Sequence, residues 1–162
     1  MQKKRSPIPA VYLHIPFCRT ICPFCSFTVR RDRAKMHEKY IRAMVEEIDR
    51  RTEMLKDMER KENEEKLSGQ ILLKSIYIGG GTPSCLTIPE VSVLLAKVRE
   101  NFPWSDQIEI AFEMNPDDVN PEYLSGLADI GVNRLSLGGQ SFQTSTLQTL
   151  GRCHTIADLR NA

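Results

Sequence analysis

The sequence predicts an α/β protein with a parallel sheet of about four strands and helices on its outer side. Short apolar runs alternate with helical segments in the order βαβαβαβα, and such alternation implies parallel strands joined by right-handed crossovers. Chemically distinctive residues follow every predicted strand. A length of 162 residues, with 41% hydrophobic residues, suits one domain of ordinary composition.

Charge and hydropathy exclude several function classes. The 22 Lys and Arg residues nearly balance the 21 Asp and Glu residues, which gives a formal net charge of +1. We therefore expect no electrostatic recruitment of nucleic acid or of an acidic membrane surface. We also expect no transmembrane helix and no secretory signal, because the apolar runs are too short for either. In the cytoplasmic protein that this predicts, closely spaced cysteines indicate metal binding rather than disulfides.

The first strand is expected at residues 11–15, between two prolines. Residues 30–66 then carry 23 of the 43 charged side chains, with an apolar stripe of helical spacing beneath them. This pattern predicts a long amphipathic helix with a solvated outer face that includes His37, followed by a mobile loop at 61–69. The stripe consists of Tyr40, Ile41, Met44, Val45, Ile48, Leu55 and Met58.

Turn and capping signals place the remaining elements. The order is a strand at 72–78, a helix from 88 to about 101, a strand at 107–113, a helix opened at 120–122 and closed by Gly131, a strand at 132–137 and a short helix at 143–150. Thr87 and Glu90 have the spacing of a capping box. Thr155 is a plausible N-cap for one more helix, which is still short when the sequence stops at 162.

The distinctive residues all fall where a predicted strand ends. A cysteine run follows the first strand, Gly79-Gly80-Gly81 follows the second, Glu113 ends the third and Gln140 follows the fourth. In parallel α/β sheets the carboxyl ends of the strands share one rim, where ligands bind. We therefore expect these residues to surround a common site.

Cys18, Cys22 and Cys25 form a C-x3-C-x2-C run on a loop. Three thiolates from a short loop can hold one face of a [4Fe-4S] cluster and leave its fourth iron open to a small molecule. A zinc site completed by His14 or Cys85, or incidental cysteines, are the alternatives. On the residues alone, His14 is expected to be a hydrogen-bonded structural residue, and Cys85 and Cys153 to be buried small side chains.

The cysteine run belongs to a longer motif, Y-x-H-I-P-F-C-x3-C-x-F-C, which begins at Tyr12. Further motifs follow in order: GGGTPS at 79–84, EMNP at 113–116, GVNRLSLG at 131–138 and LGRCH at 150–154. Together they resemble the radical SAM superfamily, in the branch that contains the oxygen-independent coproporphyrinogen III oxidases and the haem chaperones of the HemW type. The resemblance covers residues 12 to about 154.

The resemblance implies a (βα)6 barrel, a [4Fe-4S] cluster on the three cysteines and S-adenosylmethionine on the open iron, bound through its amine and carboxylate. Reduction of the cluster, by a donor such as flavodoxin or ferredoxin, would cleave S-adenosylmethionine to a 5′-deoxyadenosyl radical. The implied cofactor-binding residues are Tyr12, Phe24, Gly80, Gly81, Thr82, Glu113, Gln140 and Arg152. Among them, Phe24 would lie against the adenine, Glu113 would bind the ribose hydroxyls and Arg152 would bind the carboxylate.

Phe27 indicates the type within the branch. The oxidases have a further cysteine two places after the third, whereas the haem chaperones have an aromatic residue there, so Phe27 favours haem binding and transfer. Oxidation of coproporphyrinogen III is the first alternative. A zinc-binding interaction module or an inert fragment is the second. Gly139 replaces a residue that is more often branched, from which we expect slightly looser packing.

The chain supplies about three and a half of the six βα units that the resemblance implies. We therefore expect residues 1–162 to be the N-terminal part of a radical SAM core domain. The remaining strands and a C-terminal part that would bind haem are expected to be absent. A chain ending with an unpaired strand edge is expected to be marginally stable in isolation.

Overall fold

The computed structural model describes residues 10–62 and 72–162. In chain order its strands and helices are β1 (Ala10–Ile15), β2 (Phe17–Cys18), β3 (Arg30–Arg31), α1 (His37–Glu62), β4 (Leu73–Gly80), α2 (Ile88–Asn101), β5 (Trp104–Met114), α3 (Pro121–Asp129), β6 (Arg134–Leu137), α4 (Thr144–Thr149) and α5 (Ile156–Asn161). The predicted α/β alternation is confirmed, and β2 and β3 are a small addition to it.

One four-stranded sheet in the order β1-β4-β5-β6 forms the centre of the fold, and every pairing in it is parallel. The two inner strands, β4 and β5, are buried mainly on one face. Ile76 pairs with Ile110 and Ile78 pairs with Phe112, and all four side chains are fully buried. Glu109, on the other face of β5, is exposed, so the burial of the strands largely alternates along their length. Because the pairings are parallel, all four carboxyl ends lie at one rim.

Helices α1 and α2 pack on each other and on this core. On α1, Ile41 and Ile48 of the predicted stripe are buried. The stripe ends earlier than predicted, since Met58 is 52% exposed. Thr52 is buried on α1 instead, and its hydroxyl donates to the carbonyl of Ile48 at 2.8 Å, which satisfies its polar atom inside the core.

The predicted loop at 61–69 begins within α1, which extends to Glu62, and from residue 63 it lies outside the described residues. The predicted capping box at Thr87 and the predicted N-cap at Thr155 are confirmed, and Thr155 also forms a capping box. Glu90 accepts from the backbone N–H of Thr87 at 2.7 Å, and Asp158 accepts from that of Thr155 at the same distance. In the part of the chain that the structure describes, no helix is long and apolar enough to span a bilayer.

The expectation of loose packing at Gly139 is wrong. A Cβ atom at this position would lie 2.7 Å from Cδ1 of Leu159, a side chain of α5. The carbonyl of Gly139 also accepts a hydrogen bond from Nε2 of His154 at 3.0 Å. The absence of a side chain therefore lets α5 approach the loop that follows β6.

We expect Gly139→Val to destabilise the protein by about 1–3 kcal/mol, because the new side chain would displace Leu159. The measurement is urea unfolding of the variant beside the unchanged protein. Leu159→Ala, alone and combined with Gly139→Val, completes a double-mutant cycle in which the second change should recover part of the loss. Equal stability of Gly139→Val and the unchanged protein would contradict the tight contact.

Candidate cofactor-binding site

The carboxyl ends of the strands surround a cavity of about 300 Å³. Every predicted site residue except Tyr12 lines it, namely Cys18, Cys22, Cys25, Phe24, Gly80, Gly81, Thr82, Glu113, Gln140 and Arg152. These residues come from five separate parts of the sequence. The parallel sheet therefore brings together the strand-end residues, as the sequence predicted.

The cysteine loop, residues 18–29, is pinned at both ends by β2 and β3. Cys18 lies opposite Arg31 in this two-stranded pair. The carbonyl of Cys18 accepts the N–H of Asp32 at 2.9 Å, just beyond β3. Inside the loop, the N–H of Cys25 donates to the carbonyl of Cys22 at 3.1 Å and closes a turn. Both ends of the loop are thus fixed next to each other, and its three cysteines line the cavity.

Two of the three cysteine sulfurs of the loop accept a hydrogen bond. The Thr82 hydroxyl donates to Sγ of Cys18 at 3.5 Å, and Nη1 of Arg152 donates to Sγ of Cys22 at 3.3 Å. Burial raises the pKa of the Cys18 thiol, and the hydrogen bond from Thr82 acts against this rise. Donors directed at sulfur favour the thiolate, which is the form that binds metals.

Arg152 connects three parts of the site. Its Nη2 donates to Oδ1 of Asn115 at 2.6 Å and to the carbonyl of Gly138 at 2.9 Å, while Nη1 reaches Cys22. Its Nε atom is buried and has no hydrogen-bond partner among the described residues. A buried cationic donor without a partner is costly unless an acceptor fills the site.

Glu113 is held from two sides. Its Oε1 accepts from the Tyr77 hydroxyl at 2.6 Å, and its Oε2 accepts from the N–H of Gly80 at 2.9 Å. The hydrogen bond to Glu113 raises the pKa of Tyr77, which keeps its hydroxyl a donor. A Cβ atom on Gly79 would lie 2.7 Å from the Glu113 carboxylate. The glycine run therefore gives this carboxylate room beside the strand.

Gln140 is the one non-glycine residue with a positive φ, +63°, in the described part of the chain. This left-handed conformation is unfavourable for a side-chain-bearing residue unless its surroundings hold it. Two adjacent carbonyls are held here: Arg152 binds that of Gly138, and His154 binds that of Gly139. The LGRCH segment thus fixes the backbone that presents Gln140 to the cavity.

The two aromatic candidates are both well exposed, Tyr12 by 56% and Phe24 by 48%, so neither is a core residue. Phe24 lines the cavity. Tyr12 lies beside it on β1, where its ring stacks on Tyr77 at 5.9 Å between centroids. Its role as a cofactor contact stays a prediction.

The two residues that could complete a zinc site are engaged elsewhere. His14 has its Nε2 3.0 Å from the carbonyl of Thr28 and its Nδ1 3.2 Å from the Tyr12 hydroxyl, so its predicted structural role is confirmed. Cys85 is buried as predicted and its thiol faces the carbonyl of Phe17 at 3.8 Å. Burial raises the pKa of Cys85 to about 12. Cys153, also predicted to be buried, is exposed.

A cluster with three thiolate ligands fits this cavity by its donor set. Cys18, Cys22 and Cys25 are soft sulfur ligands on its wall. A Cβ atom on Gly81 would lie 2.8 Å from Sγ of Cys18, so only glycine leaves space beside that sulfur. Among the described residues, no three Cys, His, Asp or Glu side chains form a group that could hold one metal ion.

His37, expected on the solvated face of α1, is 4% exposed, so that expectation is wrong. Its Nε2 lies 2.7 Å from Oδ1 of Asp32 and its Nδ1 lies 3.3 Å from Oε1 of Glu90. Its ring packs on Phe17 with 4.7 Å between centroids. His37 therefore links the start of α2 to Asp32, whose backbone holds Cys18.

Three residues that support the site, Tyr77, Asn115 and His37, were not identified from the sequence. Asn115 lies inside the quoted EMNP motif and follows β5 directly, so its position at a strand end was an available signal. Tyr77 is two residues before the glycine run. His37 had no such signal, because its partners come from two other elements.

We expect His37→Leu to lower the free energy of unfolding by about 1–3 kcal/mol, since two carboxylates lose their partner. Hydrogen exchange at the Asp32 amide should become faster, because that amide is held against Cys18 through this link. His37→Gln keeps one donor and should restore part of the protection. Lys39→Leu, on the exposed side of α1, is the matched control. Unchanged exchange at Asp32 in His37→Leu would contradict the link.

Fold and site together define a parallel α/β protein with a cofactor cavity of three thiols, a glycine-rich strand end and one guanidinium. The family model of the radical SAM superfamily matches residues 12–162. The chain therefore belongs to the radical SAM superfamily.

Three relatives are similar over nearly the whole chain. The haem chaperone HemW of Haemophilus influenzae is 34% identical over 157 residues, which are 96% of this chain and 39% of that protein. HemW of Bacillus subtilis is 36% identical over 151 residues, which are 93% of this chain and 36% of that relative. The solved structure of coproporphyrinogen III oxidase (HemN) from Escherichia coli, described as a radical SAM enzyme, superposes with a TM-score of 0.76 at 29% identity, covering 93% of this chain and 32% of its own.

These comparisons confirm the predicted superfamily and the predicted barrel-type α/β fold. The chain spans less than two fifths of the length of each of these three relatives.

Proposed function

We propose that this chain is the N-terminal, cofactor-binding part of a radical SAM protein of the haem-chaperone type. It binds a [4Fe-4S] cluster through Cys18, Cys22 and Cys25, and S-adenosylmethionine beside it. The observation that carries this proposal is the shared cavity, which the three cysteines line together with Glu113 and Arg152. The reduced thiols of such a site require a reducing compartment such as the cytoplasm.

Bound together, the cluster and S-adenosylmethionine would supply one-electron chemistry, and the residues of this chain bind and orient them. The partnerless Nε of Arg152 suits a carboxylate oxygen. Each Glu113 oxygen already accepts one hydrogen bond and keeps a lone pair for a ribose hydroxyl. Gly80 and Gly81 offer backbone without a Cβ atom, and Thr82 offers a hydroxyl group. Gln140 offers an amide and Phe24 a ring face for the adenine.

Anaerobic reconstitution with iron and sulfide tests the cluster. We expect a brown protein that holds about four irons per chain and loses its visible absorption on reduction, as cysteine-ligated clusters do. Cys22→Ala should reduce iron uptake severely. Cys153→Ala is the matched control, because that thiol is exposed and is not among the predicted ligands. One zinc per chain in place of iron would support the interaction module, and no metal uptake would support an inert fragment.

The assignment to the haem-chaperone type is supported by Phe27, which occupies the place of the fourth cysteine of the oxidases, and by the HemW relatives. Oxidation of coproporphyrinogen III is the second candidate, favoured by the superposition on HemN. Haem titration and an anaerobic assay for protoporphyrinogen, both on a longer protein that contains this chain, separate the two. We expect tight haem binding without turnover. Formation of protoporphyrinogen would establish the oxidase.

A further inference from the structure

The segment that closes the cysteine loop carries a dense group of positive charges. Four cations occur within six residues, and all four side chains are exposed. We call this group the basic edge; it consists of Arg30, Arg31, Arg33 and Lys35. None of the four makes an ion pair or a side-chain hydrogen bond to any other residue that the structure describes.

Acidic side chains near the basic edge do not neutralise it, because they have other partners. Asp32, in the middle of the segment, is turned toward the buried His37. Asp118 binds Arg19 of the cysteine loop, and Glu38 binds Arg42 at 2.9 Å.

The charges farther along α1 behave differently from the basic edge. Arg51 pairs with Glu47 at 2.5 Å and Lys56 pairs with Glu53 at 2.7 Å, so that face is internally compensated. The chain has a net charge near zero, yet one uncompensated positive surface remains beside the cysteine loop.

The basic edge is close to the first thiol ligand. Arg31 lies opposite Cys18 in the pairing of β2 with β3, and paired strands are about 4.8 Å apart. The backbone of Asp32 also binds the carbonyl of Cys18. A partner docked on this edge would thus be about one strand spacing from the backbone of a thiol ligand.

We propose that the basic edge is the docking surface for a small acidic protein that donates single electrons to the cluster. This proposal rests on the proposed function. One electron leaves the reduced flavin or iron–sulfur centre of the donor, which is oxidised, and enters the cluster, which is reduced; no bond forms or breaks. Complexes between electron-transfer proteins have small interfaces and are transient. Uncompensated charge accelerates their association by steering the partners together.

Nucleic acid is the less suitable occupant of this surface. The affinity for nucleic acid rises with the number of phosphates that a protein neutralises, and the basic edge offers only four cations on a chain with a net charge of +1. A position close to Cys18 gives nucleic-acid binding no advantage. Electron transfer to the cluster, in contrast, requires the partner to dock close to its ligands.

The test is the rate of cluster reduction in the reconstituted protein, followed by stopped-flow absorption. The donor is reduced flavodoxin, an acidic flavin protein. In the double variant Arg31→Glu/Arg33→Glu we expect the rate at about 0.01 M salt to fall at least ~10-fold. The difference should nearly vanish at about 1 M salt, where the Debye length is about 3 Å. Reduced methyl viologen, a small cation that needs no docking surface, should reduce the variant at least as fast as the unchanged protein.

Lys74→Glu is the matched control, since Lys74 is an exposed cation near the opposite end of β4 from the cavity. It should leave the flavodoxin rate nearly unchanged. Equal slowing with flavodoxin and methyl viologen would overturn the proposal, because it would place the damage in the cysteine loop. Equal flavodoxin rates in the double variant and the unchanged protein would overturn it as well. The same holds if the double variant loses binding of a single-stranded oligonucleotide while its cluster is reduced at the unchanged rate. Failure of the unchanged protein to take up a cluster would overturn the proposed function and this inference with it.

Discussion

The Arg152 guanidinium is the contact on which the arrangement of the site depends. It reaches the cysteine loop at Cys22, the end of β5 at Asn115 and the loop after β6 at Gly138. These three parts of the chain share no other side chain as a common partner among the described hydrogen bonds. A planar group with five donors can satisfy acceptors in three directions, which an ammonium on a flexible stem does less well. The remaining cavity wall is placed by the sheet itself.

The sequence predicted what depends on chain order and strand ends. Glu113 and the glycine run were placed at one rim because parallel strands end there, and the structure puts them within hydrogen-bond distance of one another. It could not predict contacts that depend on how separate elements meet. His37 looks like one more polar residue on a charged helix, and only the packing of α1 against α2 shows that Glu90 and Asp32 enclose it.

The error at Gly139 has the same origin. From the sequence, glycine in place of a branched residue suggests missing volume, but the volume is filled by Leu159 from α5. Cys153 illustrates the opposite case, because it was predicted to be buried and is exposed. A small apolar residue type does not indicate which side of a turn the residue occupies. Burial is set by the tertiary fold, and single residue types predict it only on average.

The partnership of Cys22 with Arg152 also has a consequence for synthesis of the chain. The two residues are 130 positions apart, and at about 5–20 residues per second the ribosome needs roughly 7–26 s to extend the chain from one to the other. During that interval the cysteine loop exists without the guanidinium that positions it. The loop is therefore made well before the guanidinium that completes its binding geometry. Metal loading that uses this geometry belongs after translation has passed residue 152.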